Sequence, residues 1–121
     1  MNIIERKRVL ITNTLREIFV YDIQKSVPEF KNTIVTITNS YLLDAGKLIK
    51  IYINLFSINK SNTLEQHLLT YLNKNKKLIR YKLGNKLSNK LKFIPNIDFY
   101  IDDTRDVSKE IETLLAKINF K

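Results

Sequence analysis

The chain contains no cysteine, which removes disulfides, thiolate zinc sites and a cysteine nucleophile from consideration. The absence fits a reducing cytoplasm. One histidine is present, His67, so neither a zinc set nor a catalytic triad has the partners it needs. Two glycines and two prolines among 121 residues leave little material for turn-rich linkers or low-complexity tails. No internal repeat interrupts the chain, and one compact domain spanning residues 1–121 is expected. No stretch approaches the roughly 18 to 20 apolar residues that a membrane span requires. Met1 to Arg8 has no apolar core followed by small residues, so a signal peptide is not expected. A soluble cytoplasmic chain without membrane partners is the expectation.

What the chain has in excess is positive charge. Twenty-one Lys and Arg face 12 Asp and Glu, a formal net charge of +9. Such a balance attracts polyanions. The excess is also concentrated. Residues 74–92 read KNKKLIRYKLGNKLSNKLK and hold eight basic side chains with no acid. The segment that follows carries Asp98, Asp102, Asp103, Asp106, Glu110 and Glu112. Lysine runs on solvated helices usually mix signs, because opposite charges at i,i+4 support the helix. Here Lys82, Lys86 and Lys90 repel one another at that spacing. Phosphates from a nucleic-acid partner would relieve the repulsion and release counterions.

Periodicity supplies a coarse fold. Ile4, Ile11, Leu15 and Ile18 form a helical stripe that runs out near Tyr21, with Arg6, Lys7 and Arg8 clustered in its first turns. Cations there oppose the helix dipole and read as exposed contacts. Thr33 to Leu43 is rich in β-branched residues and alternates Val35, Ile37, Tyr41 and Leu43 on one face. Asp44-Ala45-Gly46 is a turn. The next strand places Ile49, Ile51, Ile53 and Leu55 on one face and Lys50, Tyr52 and Asn54 on the other. Ser61 or Asn62 caps a helix with Leu64, Leu68, Leu69 and Leu72. Beyond Asn73-Lys74-Asn75 a second helix carries Leu78, Ile79, Leu83 and Leu87, weakened by Gly84, Ser88 and Asn89 and broken before Leu91. Ile97, Phe99 and Ile101 mark a third strand. Val107, Ile111, Leu114, Leu115 and Ile118 mark a last helix.

The predicted class is α+β, order α-β-β-α-α-β-α, with one three-stranded sheet packed by helices. Two adjoining helices after a β-hairpin resemble a single type II KH-like domain, a module that grips nucleic-acid backbone at the joint between those helices.

The chain also resembles the ribosome-binding factor A family over nearly its whole length. The likeness is carried by Arg8-Val9, by Lys50-Ile51-Tyr52-Ile53, by Ile79-Arg80, and by Phe93-Ile94-Pro95-Asn96-Ile97-Asp98-Phe99 with Asp102 and Asp103 after it. Three stretches depart from the family pattern. Pro28-Glu29-Phe30 stands where Asp-Pro-Arg is usual, and Asn75-Lys76-Lys77 stands where Ala-x-Gly marks the interhelical kink. The piece around Ser88-Asn89 is slightly longer. The resemblance implies an assembly factor without catalytic activity that binds the immature small ribosomal subunit and its 16S ribosomal RNA. It further implies support of 5′-end processing and late maturation, a role in cold adaptation, and release when the subunit matures.

The candidate RNA-binding residues are Lys74, Lys76, Lys77, Arg80, Lys82 and Lys86, assisted by Arg6, Lys7 and Arg8, with Asn75 at the interhelical kink. No catalytic residue, metal or cofactor is expected, nor is DNA, and the chain is expected to act as a monomer. Asp98, Asp102 and Asp103 form the one conceivable magnesium site, but no further acid or general base accompanies them. Tyr52 and Tyr100 sit opposite the apolar rows, where they pad the sheet or stack on a base. Two other readings stay open. One is a KH-like module for single-stranded RNA outside the ribosome, and the other is an adaptor whose acidic C-terminal part docks a basic protein.

Overall fold

A computed structural model describes residues 2–30, 32–57 and 62–102. Its order is α1 (Ile3–Ile18), α2 (Gln24–Ser26), β1 (Thr33–Leu43), β2 (Leu48–Ser57), α3 (Asn62–Lys74), α4 (Lys76–Leu87) and β3 (Asn96–Ile101). Helix α1 starts where Asn2 Oδ1 accepts the Glu5 amide at 2.8 Å, a side-chain cap on an orphan donor. Its buried stripe is Ile11, Leu15 and Ile18, while Ile4 is exposed. The helical path does not stop near Tyr21. It passes through a π-helical turn, Phe19–Ile23, and continues through α2. That turn buries Phe19 and Ile23, so the apolar stripe extends beyond the expected end. Val27 before Pro28 is extended at φ −107° and ψ 111°, as sterics at a pre-proline residue require.

The sheet is mixed, with β2 at its centre, antiparallel to β1 and parallel to β3. Ile49, Ile51, Ile53 and Leu55 on β2 are fully buried, and Ile97 and Phe99 on β3 lie beside Ile49 and Ile51. The same face receives Phe19, whose ring lies 6.1 Å from Phe99. Leu68 and Leu72 of α3 and Ile79, Leu83 and Leu87 of α4 complete the core, but Leu78 is exposed.

Strand β1 departs from the simple alternation. A bulge between Ile37 and Asn39 shifts its register against β2. One extra residue exchanges the faces beyond it. Val35 and Ile37 are buried as expected, but Ser40 takes the next inward position, and Tyr41 and Leu43 turn outward. Tyr41 then meets Tyr52 edge-on at 5.8 Å, and Tyr52 stacks on Tyr100 at 5.2 Å. The hairpin closes through Asp44, Ala45 and Gly46, which have positive φ angles of 53°, 53° and 86°.

The crossover from β2 to β3 runs through α3 and α4, which adjoin at Asn75. This places the basic segment beside the start of β3. Ser61 and the expected helix from Val107 to Ile118 lie outside the described residues, as do Asp103, Asp106, Glu110 and Glu112.

Candidate nucleic-acid interface

Burial of Ile79, Leu83 and Leu87 fixes the rotation of α4 and divides its cations between two sides. Lys82 and Lys86 face the first helical segment. Lys82 Nζ lies 3.4 Å from Asp22 of the π turn, and Lys86 Nζ lies 4.0 Å from Glu17 of α1. For Lys82 and Lys86 the i,i+4 repulsion read from the sequence is therefore answered within the molecule, whereas Lys90 lies beyond the end of α4. Phosphate is not needed to explain that pair, because their acids come from residues 60 positions or more upstream in the chain.

On the other side of α4, Arg80 donates from Nε and Nη2 to the Ile94 carbonyl at 3.2 and 2.7 Å. Its guanidinium sits 5.9 Å from the Phe93 ring centre. Lys76 Nζ bonds Asp98 Oδ1 at 2.9 Å, tying the joint to β3. In the first helix, Arg8 grips Glu5 with two nitrogens at 3.1 and 2.9 Å and donates to Ser40 Oγ at 2.9 Å. Thr12 Oγ1 lies 2.7 Å from the Arg8 carbonyl and 2.9 Å from Ser40 Oγ, so the inward Ser40 has partners. The Arg8 hydrogen bond holds the Glu5 carboxyl below the usual carboxylate range, and the same bond raises the guanidinium pKa.

Arg6, Lys7, Lys74, Lys77, Lys90 and Lys92 make no salt bridge among the described residues. Most of these unpaired cations share a chain of recesses. Lys74 and Lys77 line an open groove of about 640 Å³ between the helix joint and the start of β3. Lys77 also lines a second recess, of about 460 Å³, with Arg80, Tyr81, Lys92 and Phe93. Lys92 and Phe93 border a third, where Lys7 and Lys90 meet the hairpin turn at Ala45 and Gly46. Shared residues make the three recesses one surface. It runs from the helix joint across the approach to β3 to the start of α1.

The structure brings Lys74, Lys76, Lys77 and Arg80 together at the joint, with Lys7 at the far end. It turns Lys82 and Lys86 toward α1 and engages Arg8 with Glu5. Lys90, Lys92, Tyr81 and Phe93 were not among the sequence candidates. Lys90 and Lys92 belong to the acid-free run, Tyr81 interrupts it and Phe93 follows it directly, which is the signal that was available.

Asn75 separates the two helices at φ −108° and ψ 20°. This bridge conformation has a negative φ and needs no glycine. Its amide Nδ2 donates to the Tyr71 carbonyl at 2.8 Å, while its own carbonyl accepts Ile79 N at 3.0 Å. The joint is thus a one-residue interruption that stays hydrogen-bonded to both helices.

Asp98 is engaged by Lys76, and Asp102 bonds the Thr38 hydroxyl. Among the described residues no three His, Cys, Asp or Glu side chains gather as a metal site. His67 is exposed and lies 3.9 Å from Glu29. Among the same residues no helix is long and apolar enough to cross a membrane.

The sequence profile described as ribosome-binding factor A matches residues 4–115. Two proteins named ribosome-binding factor A are similar in sequence. That of Prosthecochloris aestuarii is 28% identical, covering 89% of this chain and 82% of its own. That of Cytophaga hutchinsonii is 25% identical, covering 90% and 77%. The crystal structure of ribosome-binding factor A from Thermus thermophilus shares the fold with a TM-score of 0.61 at 13% identity, over 81% of this chain and 94% of that one. A Thermus thermophilus homology model fitted into a cryo-EM map of a complex of ribosome-binding factor A with the 30S subunit gives 0.59 at 14% identity, over 79% and 91%.

Proposed function

Because this chain belongs to the ribosome-binding factor A family, we propose that it binds the immature small ribosomal subunit through 16S ribosomal RNA. The observation that carries the reading is the continuous surface on which Lys74, Lys77, Lys92, Lys90 and Lys7 lie without acid partners among the described residues. An unpaired lysine keeps its full charge for phosphate, whereas a paired one must first break its own ion pair. Lys74 and Lys77 hold the RNA backbone at the helix joint, and Lys7 and Arg6 extend the grip along the start of α1. Lys76, Arg80, Lys82, Lys86 and Arg8 add to the field while holding the helices in place. The related Thermus thermophilus factor, whose model was fitted into a map of its 30S complex, supports this target.

In this reading residues 1–121 act as one KH-like unit, a monomer in the cytoplasm with no cofactor. The chain binds and is released, and it performs no chemistry. It supports 5′-end processing of the RNA and late subunit maturation, most needed in the cold. The test is to pellet purified chain with small subunits that carry unprocessed 16S precursor, with mature small subunits and with large subunits. Retention on the precursor particles is expected. Equal retention on all three, or tight binding only to a short single-stranded oligonucleotide, would replace this reading with a general RNA-binding module.

A further inference from the structure

We propose that the recess between α4 and the approach to β3 is a binding site for one unpaired RNA base. The proposal rests on the interface described above and specifies what part of the RNA enters it. Tyr81 and Phe93 are 67% and 55% exposed and both line this recess. Large aromatics so far from the core contribute little to stability and offer flat apolar faces to a ligand. Their companions are Lys77 and Lys92, which carry no acid partner among the described residues, and Arg80. Two hydrogen bonds to Ile94 hold the Arg80 guanidinium beside Phe93, so a planar cation is preset at the recess wall. Aromatic and guanidinium planes next to cations suit a nucleobase with its flanking phosphates, since bases stack on both kinds of plane. A paired base inside a duplex has no free face to give. The ligand is therefore a bulged or looped-out nucleotide.

The recess also suits the geometry of the surface. It lies between the groove at Lys74 and the basic edge at Lys7 and Lys90, sharing Lys77 with the first and Lys92 with the second. An RNA strand held by its backbone at both ends would present an unpaired base to the middle.

The experiment uses the full chain and two RNAs, a short duplex and the same duplex with one bulged 2-aminopurine. The wild-type chain is expected to bind the bulged RNA about tenfold more tightly, as one stacked base warrants, and to quench its fluorescence. Tyr81→Ala and Phe93→Ala are expected to abolish the quenching and to bring the affinity for the bulged RNA down to that for the duplex. Tyr81→Phe should keep both effects. Lys77→Glu with Lys92→Glu should weaken both RNAs alike. Equal affinity for the two RNAs without quenching by the wild-type chain would overturn the base site and leave the backbone interface standing; that outcome would assign the exposed aromatics to a protein surface. Failure of the wild-type chain to bind either RNA would overturn both readings.

Discussion

The guanidinium of Arg80 and the carbonyl of Ile94 are joined by two hydrogen bonds, at 3.2 and 2.7 Å. They clasp α4 to the segment that enters β3, across fourteen positions of the chain. Arg80→Ala is expected to lower stability by about 1–3 kcal/mol, because it strands the carbonyl and removes charge-assisted bonds. Arg80→Lys should recover part of that loss, since an ammonium group does not reproduce the planar fork. Urea unfolding of the three proteins measures the difference. Identical midpoints would show that the clasp is not a stabilising link.

Lysines that have an acid partner and those that have none among the described residues should separate in salt titrations. Lys77→Ala and Lys92→Ala are each expected to make the slope of log affinity against log salt shallower by about one unit, the signature of one lost phosphate contact. Lys82→Ala and Lys86→Ala should change it less, because Asp22 and Glu17 already occupy those side chains. Equal slopes for all four variants would contradict the division of these lysines between the groove side and the α1 side.

Gly84 lies inside α4 with a helical backbone, and a Cβ there would meet Ile94 Cγ1 at 3.6 Å, an ordinary contact. Gly84→Ala is therefore expected to raise stability by about 0.5–1 kcal/mol through helix propensity. Gly46 is the opposite case. Its φ of +86° disfavours any side chain, so Gly46→Ala should destabilise the hairpin turn even though the space around it is open. Thermal unfolding of the two variants should move in opposite directions.

Glu5 has its pKa lowered in the folded chain, first by the hydrogen bond from Arg8. A lowered carboxylate binds its proton more weakly folded than unfolded. Its contribution is complete above the ordinary carboxylate range and is lost as pH falls through the folded value. Glu5→Gln is expected to make the acid side of the stability profile shallower, with little change near neutral pH in its slope. A parallel profile down to strongly acid pH would contradict this.

Much of this architecture was legible in the residues themselves. Strict alternation from Ile49 to Leu55 marked the central strand, Asp44-Ala45-Gly46 marked the turn, and the interruption at Asn75 marked the helix joint. The bulge near Thr38 was not legible, because alternation carries no sign of one inserted residue until a partner strand sets the register. That single residue moved Tyr41 and Leu43 outward and Ser40 inward. Pairing of Lys82 with Asp22 and of Lys86 with Glu17 was hidden for a different reason. It arises only when α4 packs against α1, and nothing in a lysine run reports an acid so far away. The surface shared by Lys92, Lys90 and Lys7 likewise needs the hairpin turn and the chain before β3 to converge.

The most direct measurement is sucrose-gradient fractionation of lysates containing either the wild-type chain or the triple variant Lys77→Glu, Lys90→Glu, Lys92→Glu. Matched unfolding curves would establish that both proteins are folded. The wild-type chain is expected to travel with free small subunits, and the variant to remain at the top of the gradient. A folded variant that still travels with small subunits would contradict the claim that these three lysines form the ribosome-binding surface.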